Sequence, residues 1–224
     1  MVKCIQCGLP IYEPLDVFNF YRVPKRMCSS CLEMWDSVKL IKNDQRCPKC
    51  LNYRDIKENE CLDCQFLAKN FKLMEQLYCD YQYSGIMKEM IQQYKLMKDY
   101  YLAEVIASQL NLPKTSYDLI VPIPSPIERD TQRTFNPVAT VLEKMGVQYS
   151  NLLATELRPK QSKLGKVERA KAMNPFYIKE DVDLTDKEIL LVDDIYTTGL
   201  TIHHAGCKLY DKNVRKFKVF TFSR

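Results

Sequence analysis

Residues 189–201 read Ile189-Leu190-Leu191-Val192-Asp193-Asp194-Ile195-Tyr196-Thr197-Thr198-Gly199-Leu200-Thr201. Four consecutive apolar residues fit a strand buried on both faces. Two adjacent carboxylates end the run. A loop of Thr, Thr and Gly follows, and apolar residues at helical spacing span Thr198 to Tyr210. A strand leading through a short loop into a helix is the repeating unit of an α/β sheet, and ligands bind such sheets where the strands end. Backbone N–H groups and threonine hydroxyls at a helix start make an anion cradle. Gly199 lets the backbone approach the anion closely. Asp193 and Asp194 beside the cradle suit ribose hydroxyls and a magnesium ion. The segment reads as a sugar-phosphate site made of Asp193, Asp194, Thr197, Thr198, Gly199 and Thr201. The competing reading is an ordinary strand-turn-helix corner with solvated aspartates.

The surrounding chain has the matching rhythm. Leu77–Tyr83 alternates like a strand, and Ile86 to about Leu110 is helical, with an interruption near Lys98–Tyr100. Tyr117–Pro122 reads as a short buried strand. Phe135–Met145 reads as a helix, with Asn136 and Pro137 as N-cap and first helical residue. Further strands are expected at Tyr149–Leu153, Glu188–Val192 and Lys216–Phe222, and the helix Thr198–Tyr210 lies between the last two. Strands alternating with helices predict an α/β domain with a mainly parallel sheet flanked by helices.

The first 64 residues differ. Eight of the ten cysteines fall there, as Cys4/Cys7, Cys28/Cys31, Cys47/Cys50 and Cys61/Cys64. Each C-x-x-C turn brings two thiolates to one ion, and two turns complete a tetrahedral shell. Four pairs make two structural zinc sites. A sequential assignment joins Cys4, Cys7, Cys28 and Cys31, then Cys47, Cys50, Cys61 and Cys64. That is the simplest assignment; a crossed one, first pair with third and second with fourth, is the alternative that spacing alone does not exclude. Disulfides are the alternative chemistry, and a reducing compartment disfavours them. The predicted organisation is a double zinc-ribbon module over residues 1–66 and an α/β domain over 67–224. Apolar residues in the module are sparse, so metal is expected to supply much of its folding energy.

A net charge of +5 permits a polyanionic partner without requiring one. No apolar run is long enough to span a membrane, and the start MVKCIQC is not that of a signal peptide. A soluble cytoplasmic protein is expected.

The stretch 189–201 resembles the phosphoribosyl-pyrophosphate (PRPP) motif of type I phosphoribosyltransferases. Val121-Pro122-Ile123-Pro124 supports it, with Arg129 and Arg133 following before Phe135-Asn136. With the cysteine-rich head, the whole chain resembles the ComF family, which joins an N-terminal zinc module to a phosphoribosyltransferase-like domain. Two departures are visible: Thr134-Phe135 stands where the family usually has Gly-Phe, and Pro137 where Gln or His is common. The resemblance implies a role in natural transformation. The chain would handle imported single-stranded DNA at the inner side of the membrane, beside a DNA-translocating ATPase (a ComFA-like helicase). It also implies PRPP or a nucleotide with Mg2+ as ligand, and Arg129 and Arg133 as contacts to pyrophosphate or DNA phosphate.

Residues 158–171 carry six basic residues against one acidic: Arg158, Lys160, Lys163, Lys166, Arg169 and Lys171 against Glu168. Gln161, Leu164, Glu168 and Arg169 match the family, and in type I phosphoribosyltransferases this region is a mobile loop over the site. Lys160, Lys163, Lys166, Arg169 and Lys171 are candidate nucleic-acid contacts. The alternative is a solvated surface loop. The acidic stretch Glu180–Glu188 is expected to face away from phosphate. His203 and His204 read as helix-surface groups, Cys79 and Cys207 as buried small apolar side chains. Tyr94, Tyr100 and Tyr101 among Lys88, Lys95 and Lys98 read as core packing or as a base-stacking surface.

Three functions follow. The first is a ComF-type DNA-handling adaptor with a PRPP-type pocket. The second is an active PRPP-dependent transferase on an unknown acceptor. The third is a zinc-ribbon nucleic-acid module with an inert body.

Overall fold

The computed structural model describes residues 2–12, 16–18, 20–22, 24–55, 57–156, 165–179 and 182–224. In the head, β1 (Val2–Lys3) pairs antiparallel with β2 (Pro10–Ile11), and two short helices follow, α1 (Ser29–Ser37) and α2 (Leu62–Ala68). The body runs β3 (Leu77–Tyr78), α3 (Gly85–Leu96), α4 (Leu102–Gln109), β4 (Leu119–Pro122), α5 (Ile127–Arg133) and α6 (Pro137–Lys144). It continues β5 (Leu153–Thr155), α7 (Lys166–Lys171), β6 (Phe176–Ile178), β7 (Glu188–Ile195), α8 (Leu200–Tyr210) and β8 (Lys216–Ser223).

β3, β8, β7 and β4 form one sheet in that order, and every pair in it is parallel. β5 and β6 form a separate antiparallel hairpin whose connection contains the basic segment. The expected α/β architecture is present. The predicted break near Lys98–Tyr100 separates α3 from α4, and Lys98 there has φ +60°. Asn136 caps α6: its side-chain oxygen accepts from the N–H groups of Val138 and Ala139, at 3.1 and 2.9 Å. The strand expected at Tyr149–Leu153 lies later, at β5. Helix α5 was not foreseen, because residues 127–133 have no apolar face and bury nothing.

The sheet is apolar on both faces, with strict alternation. Leu190 and Val192 of β7, with Phe220 and Phe222 of β8, pack with Met87 and Ile91 of α3, Val105 of α4 and Val141 of α6. Ile189, Leu191, Phe217 and Val219 point the other way, onto Ile202, Ala205 and Leu209 of α8.

The head sits astride the β3 edge. Lys39 bridges to Tyr81, Leu40 N–H donates to Asp80 O and Leu77 N–H to Lys49 O. A sheet edge otherwise open to strand addition is thereby covered. Cys4, Cys31 and fully buried Trp35 join the core on the α3/α4/α6 face, whereas Cys47, Cys50, Cys61 and Cys64 join the core on the α8 face. This differs from the expectation of a head with little core. Its few apolar side chains are buried against the body, a contribution that local composition does not reveal.

Candidate functional site

The cysteines form two groups, Cys4/Cys7/Cys28/Cys31 and Cys47/Cys50/Cys61/Cys64, so the pairing is sequential. Within each group the ligand atoms lie within 4.8 Å of one another. A tetrahedral S4 shell with bonds of about 2.3 Å has edges of about 3.8 Å. The Cys7–Cys28 and Cys47–Cys64 sulfurs are 3.8 Å apart, and Cys50–Cys61 3.3 Å. All ten cysteines are free thiols. The four-thiol sets therefore fit zinc, and both are closed sites without a position for substrate.

The two groups share one construction. A tight turn supplies the first pair, and a left-handed residue follows it: Gly8 at φ +73° in one, Leu51 at φ +60° in the other. Gly8 N–H donates to Cys4 O, and Leu51 N–H to Cys47 O, both at 2.9 Å. A helix start supplies the second pair, with Cys28 at the N-cap of α1 and Cys61 at the N-cap of α2. Helix N-termini favour thiolate charge. In the second group all four cysteines are buried; in the first, Cys7 is exposed and Cys28 half-buried. The Arg224 guanidinium reaches the second group, with Nε donating to Cys50 O at 2.5 Å and Nη2 lying 3.8 Å from Cys50 Sγ.

At the phosphate-type loop, β7 runs to Ile195, three residues beyond the predicted strand, and it includes both aspartates. Successive strand residues face opposite sides, so Asp193 and Asp194 diverge. Asp194 faces α3 and forms an ion pair with Lys95, a partner the sequence reading missed because α3 lies a hundred residues away. Asp193 faces the α8 side. Burial, and then the Asp194 charge, push its carboxyl up to about 8.

Gly199 is the N-cap of α8 at φ +76°. A Cβ there would lie 2.2 Å from Tyr196 Oη and 3.1 Å from Leu67 of α2. Only glycine fits the turn. Thr197 and Thr201 are exposed and Thr198 half-buried. Tyr196 is buried beneath the loop, and its hydroxyl has no hydrogen-bond partner among the described residues. The Arg224 guanidinium lies over its ring at 5.2 Å. The loop thus rests on α2 and the second cysteine group.

His203 and His204 are corrected from surface groups to buried ones. Met74 N–H donates to His203 Nε2 at 3.4 Å, which leaves Nδ1–H to donate to Gly199 O at 2.8 Å. Burial pushes His203 down to about 4, so the ring is neutral and pins the loop to the linker after α2. His204 Nε2 lies 3.2 Å from Arg169 O, and Phe71 covers both rings. Cys79 is buried, its thiol pushed up to about 11 by that burial, and Cys207 is half-buried. Tyr94 is core; Tyr100 and Tyr101 are exposed.

The Ile123 N–H donates to Val192 O at 2.8 Å, so the Val121–Pro124 loop leaves the sheet beside Asp193. Arg129 and Arg133 share one face of α5, one turn apart. Thr134, where the family pattern has glycine, sits at φ +71°. Glycine adopts that conformation freely, whereas a β-branched residue there is strained. Of the candidate nucleic-acid contacts, Lys160 and Lys163 lie outside the described residues, as does the Lys166 side chain. Lys171 is exposed at the end of α7. Arg169 is half-buried, with its Nε unpartnered among the described residues. Ala170 anchors α7 on Leu200 and Leu67, so this end of the basic segment is packed against the loop-bearing helix. Glu188, the last residue of the acidic stretch, lies at the opposite end of β7 from the aspartates, and Glu180 lies outside the described residues.

No protein-family model matches the sequence. Competence protein ComFC of Streptococcus pneumoniae (strain ATCC BAA-255 / R6) is 29% identical over 228 residues, covering 100% of both chains. The chain is thus similar to this protein from end to end. Competence protein ComFC of Bacillus subtilis (strain 168) is 26% identical over 196 residues, covering 84% of this chain and 79% of that protein. Among solved structures, the allosteric regulatory enzyme of purine biosynthesis aligns with TM-score 0.33 and 14% identity, over 57% of this chain and 25% of the enzyme. A Staphylococcus aureus hypoxanthine phosphoribosyltransferase aligns with TM-score 0.28 and 12% identity, over 70% and 69%. No helix among the described residues is long and apolar enough to cross a membrane.

Proposed function

We propose that this chain is a competence protein that handles single-stranded DNA during natural transformation, next to a DNA-translocating ATPase, and that it carries a pocket for PRPP or a related nucleotide. The observation that carries the pocket is the Gly199 turn. It opens the N-terminus of α8, an eleven-residue helix, at the strand end that bears Asp193. A phosphate there would meet unpaired helix N–H groups and Thr198, with Thr197 and Thr201 at its rim. Asp193 would accept from ribose hydroxyls. The two ComFC relatives support the competence role. The two cysteine groups would hold structural zinc that keeps the head on the sheet edge. Zinc supplies folding energy at such closed sites and takes no part in chemistry. Docking of the ATPase on the head, and through it recruitment to the inner face of the membrane, belong to the same proposal.

Calorimetry with PRPP and Mg2+ tests the pocket. Micromolar binding that disappears in Asp193→Ala supports it, and no binding to the wild-type chain removes it. Binding of an oligonucleotide should weaken steeply between about 50 and 200 mM salt if phosphate contacts dominate. Salt-indifferent affinity, or affinity unchanged by joint replacement of Lys160, Lys163 and Lys166, would discredit the basic segment as the contact.

A working transferase is the second reading. Asp193 favours it, because a carboxyl that titrates near neutral pH can exchange a proton with a bound hydroxyl. Release of pyrophosphate from PRPP, dependent on an added acceptor, would establish that reading; its absence with every nucleobase would refute it.

A further inference from the structure

A second cleft, of about 630 Å3, opens between α5, α6 and the β5–β6 hairpin. None of residues 193–201 lines it, so it is distinct from the phosphate-type loop. Its volume is that of a small-molecule site. Phe135 forms one wall and is held rigidly: it stacks on Tyr94 at 5.0 Å, and Tyr100 meets it edge-on at 5.6 Å. Tyr177 on β6 also lines the cleft. Tyr100 and Tyr177 remain 46% and 48% exposed, so both have apolar ring surface left to cover.

The polar lining is specific as well. Asp130 Oδ2 accepts from Asn136 Nδ2 at 3.0 Å. The Asn136 oxygen is occupied in capping α6, so this asparagine cannot turn away, and it holds Asp130 in place. Asp130 Oδ1 is buried and has no partner among the described residues. A buried acceptor left unmatched is unfavourable, and a ligand that donates to it relieves that cost. The other carboxylate in the cleft, Glu143, is already taken by the Tyr149 hydroxyl at 2.7 Å. Exposed Lys179 stands at the rim. An aromatic slot with one unmatched carboxylate oxygen inside and an ammonium group at its mouth is complementary to a planar ring that bears N–H donors and trails a phosphate.

We propose that this cleft binds an amino-bearing nucleobase, with the ring against Phe135 and Tyr177, its amino group donating to Asp130 Oδ1, and its phosphate toward Lys179. Adenine and cytosine carry exocyclic amino groups, whereas thymine offers only a ring N–H. The cleft should therefore prefer A and C over T. The base can come from a free nucleotide or from single-stranded DNA. The DNA source rests on the reading of the chain as a DNA-handling protein; the free-nucleotide source does not.

The test measures binding of the full chain to dAMP, dCMP and dTMP by calorimetry, and to labelled oligo(dA), oligo(dC) and oligo(dT) by fluorescence anisotropy at fixed salt. Amino-bearing bases should bind about tenfold more tightly than thymine in at least one series. Asp130→Ala should remove the preference. Tyr177→Ala, at a half-exposed position that does not threaten folding, should weaken binding of every preferred ligand at least fivefold. A preference only among free nucleotides assigns the cleft to a small molecule, and one only among oligonucleotides assigns it to a DNA base. DNA binding that ignores composition, with no nucleotide binding, overturns the cleft and leaves the DNA-handling reading standing. Nucleotide preference without any DNA binding overturns the DNA-handling reading and leaves the cleft. A preference that survives Asp130→Ala and Tyr177→Ala overturns the placement.

Discussion

Gly199 and Asp193 carry opposite kinds of constraint at one strand end. At Gly199 the constraint is space. A methyl group would collide with Tyr196 Oη at 2.2 Å, in a conformation that L side chains rarely adopt. Gly199→Ala should cost at least about 2 kcal/mol in denaturant unfolding, and it should displace the loop, so any PRPP affinity falls with it. At Asp193 the constraint is charge. Its folded pKa of about 8 lies above the ordinary carboxylate value of 3.8, so the folded state holds a proton that the unfolded state has lost. Between roughly pH 4 and pH 8 stability should therefore fall as pH rises. Asp193→Asn removes the buried charge. It should flatten that slope and stabilise the chain by on the order of 1 kcal/mol at pH 8.5, as read from thermal melts across pH. Equal slopes in both proteins would show that Asp193 is ionised at neutral pH. The place of Asp193 at the end of a buried strand was legible from the four apolar residues before it. Its partner's capture by Lys95 was not legible, because that contact joins β7 to a helix far away in sequence.

At the scale of elements, β7 has two ends with different work. Its carboxyl end bears the candidate site. Its amino end begins at Glu188, which is buried and pairs with Lys218 of β8 at 3.2 Å and with Arg215. Lys218 is itself buried and donates to Ser116 O at 2.7 Å and Thr115 Oγ1 at 2.8 Å, so the network ties the segment before β4 to β7 and β8. Breaking one partner of a buried pair leaves an uncompensated charge. Glu188→Gln should lower stability by about 3 kcal/mol, and adding Lys218→Met should restore part of that loss. If the double variant were less stable than Glu188→Gln alone, the pair would be contributing nothing through charge. The elements themselves were mostly readable. Periodicity marked the breaks of α3/α4 and the cap of α6, because those signals are local. α5, without an apolar face, gave no signal to read.

The whole molecule is organised by the head lying across the sheet edge with one cysteine group in the core of each face. The groups differ in access, since Cys7 is exposed and the second group is buried. A zinc-loaded chain treated with a chromophoric chelator should release metal in two phases, the first site well before the second. Trp35 is the only tryptophan, is fully buried next to Cys31 and donates from Nε1 to Gln6 Oε1 at 2.7 Å. Its fluorescence should shift to the red with the first phase. A single phase, or a shift that accompanies the second, would contradict the arrangement.

By itself the sequence determined the alternation of the main strands and helices and the grouping of eight cysteines into four C-x-x-C turns, and it marked the Thr-Thr-Gly loop as a candidate phosphate site. Each is written in spacing or periodicity over a few residues, and local hydrogen bonds and side-chain alternation enforce those patterns. Only the tertiary structure decided how the cysteine pairs combine, that the two histidines are buried, that Lys95 takes Asp194, and that Asp130 faces a cleft lined by Phe135 and Tyr177. Those facts arise when segments far apart in the chain are packed against one sheet. The free energy that brings them together is burial shared across the whole core, and no short stretch of sequence records it.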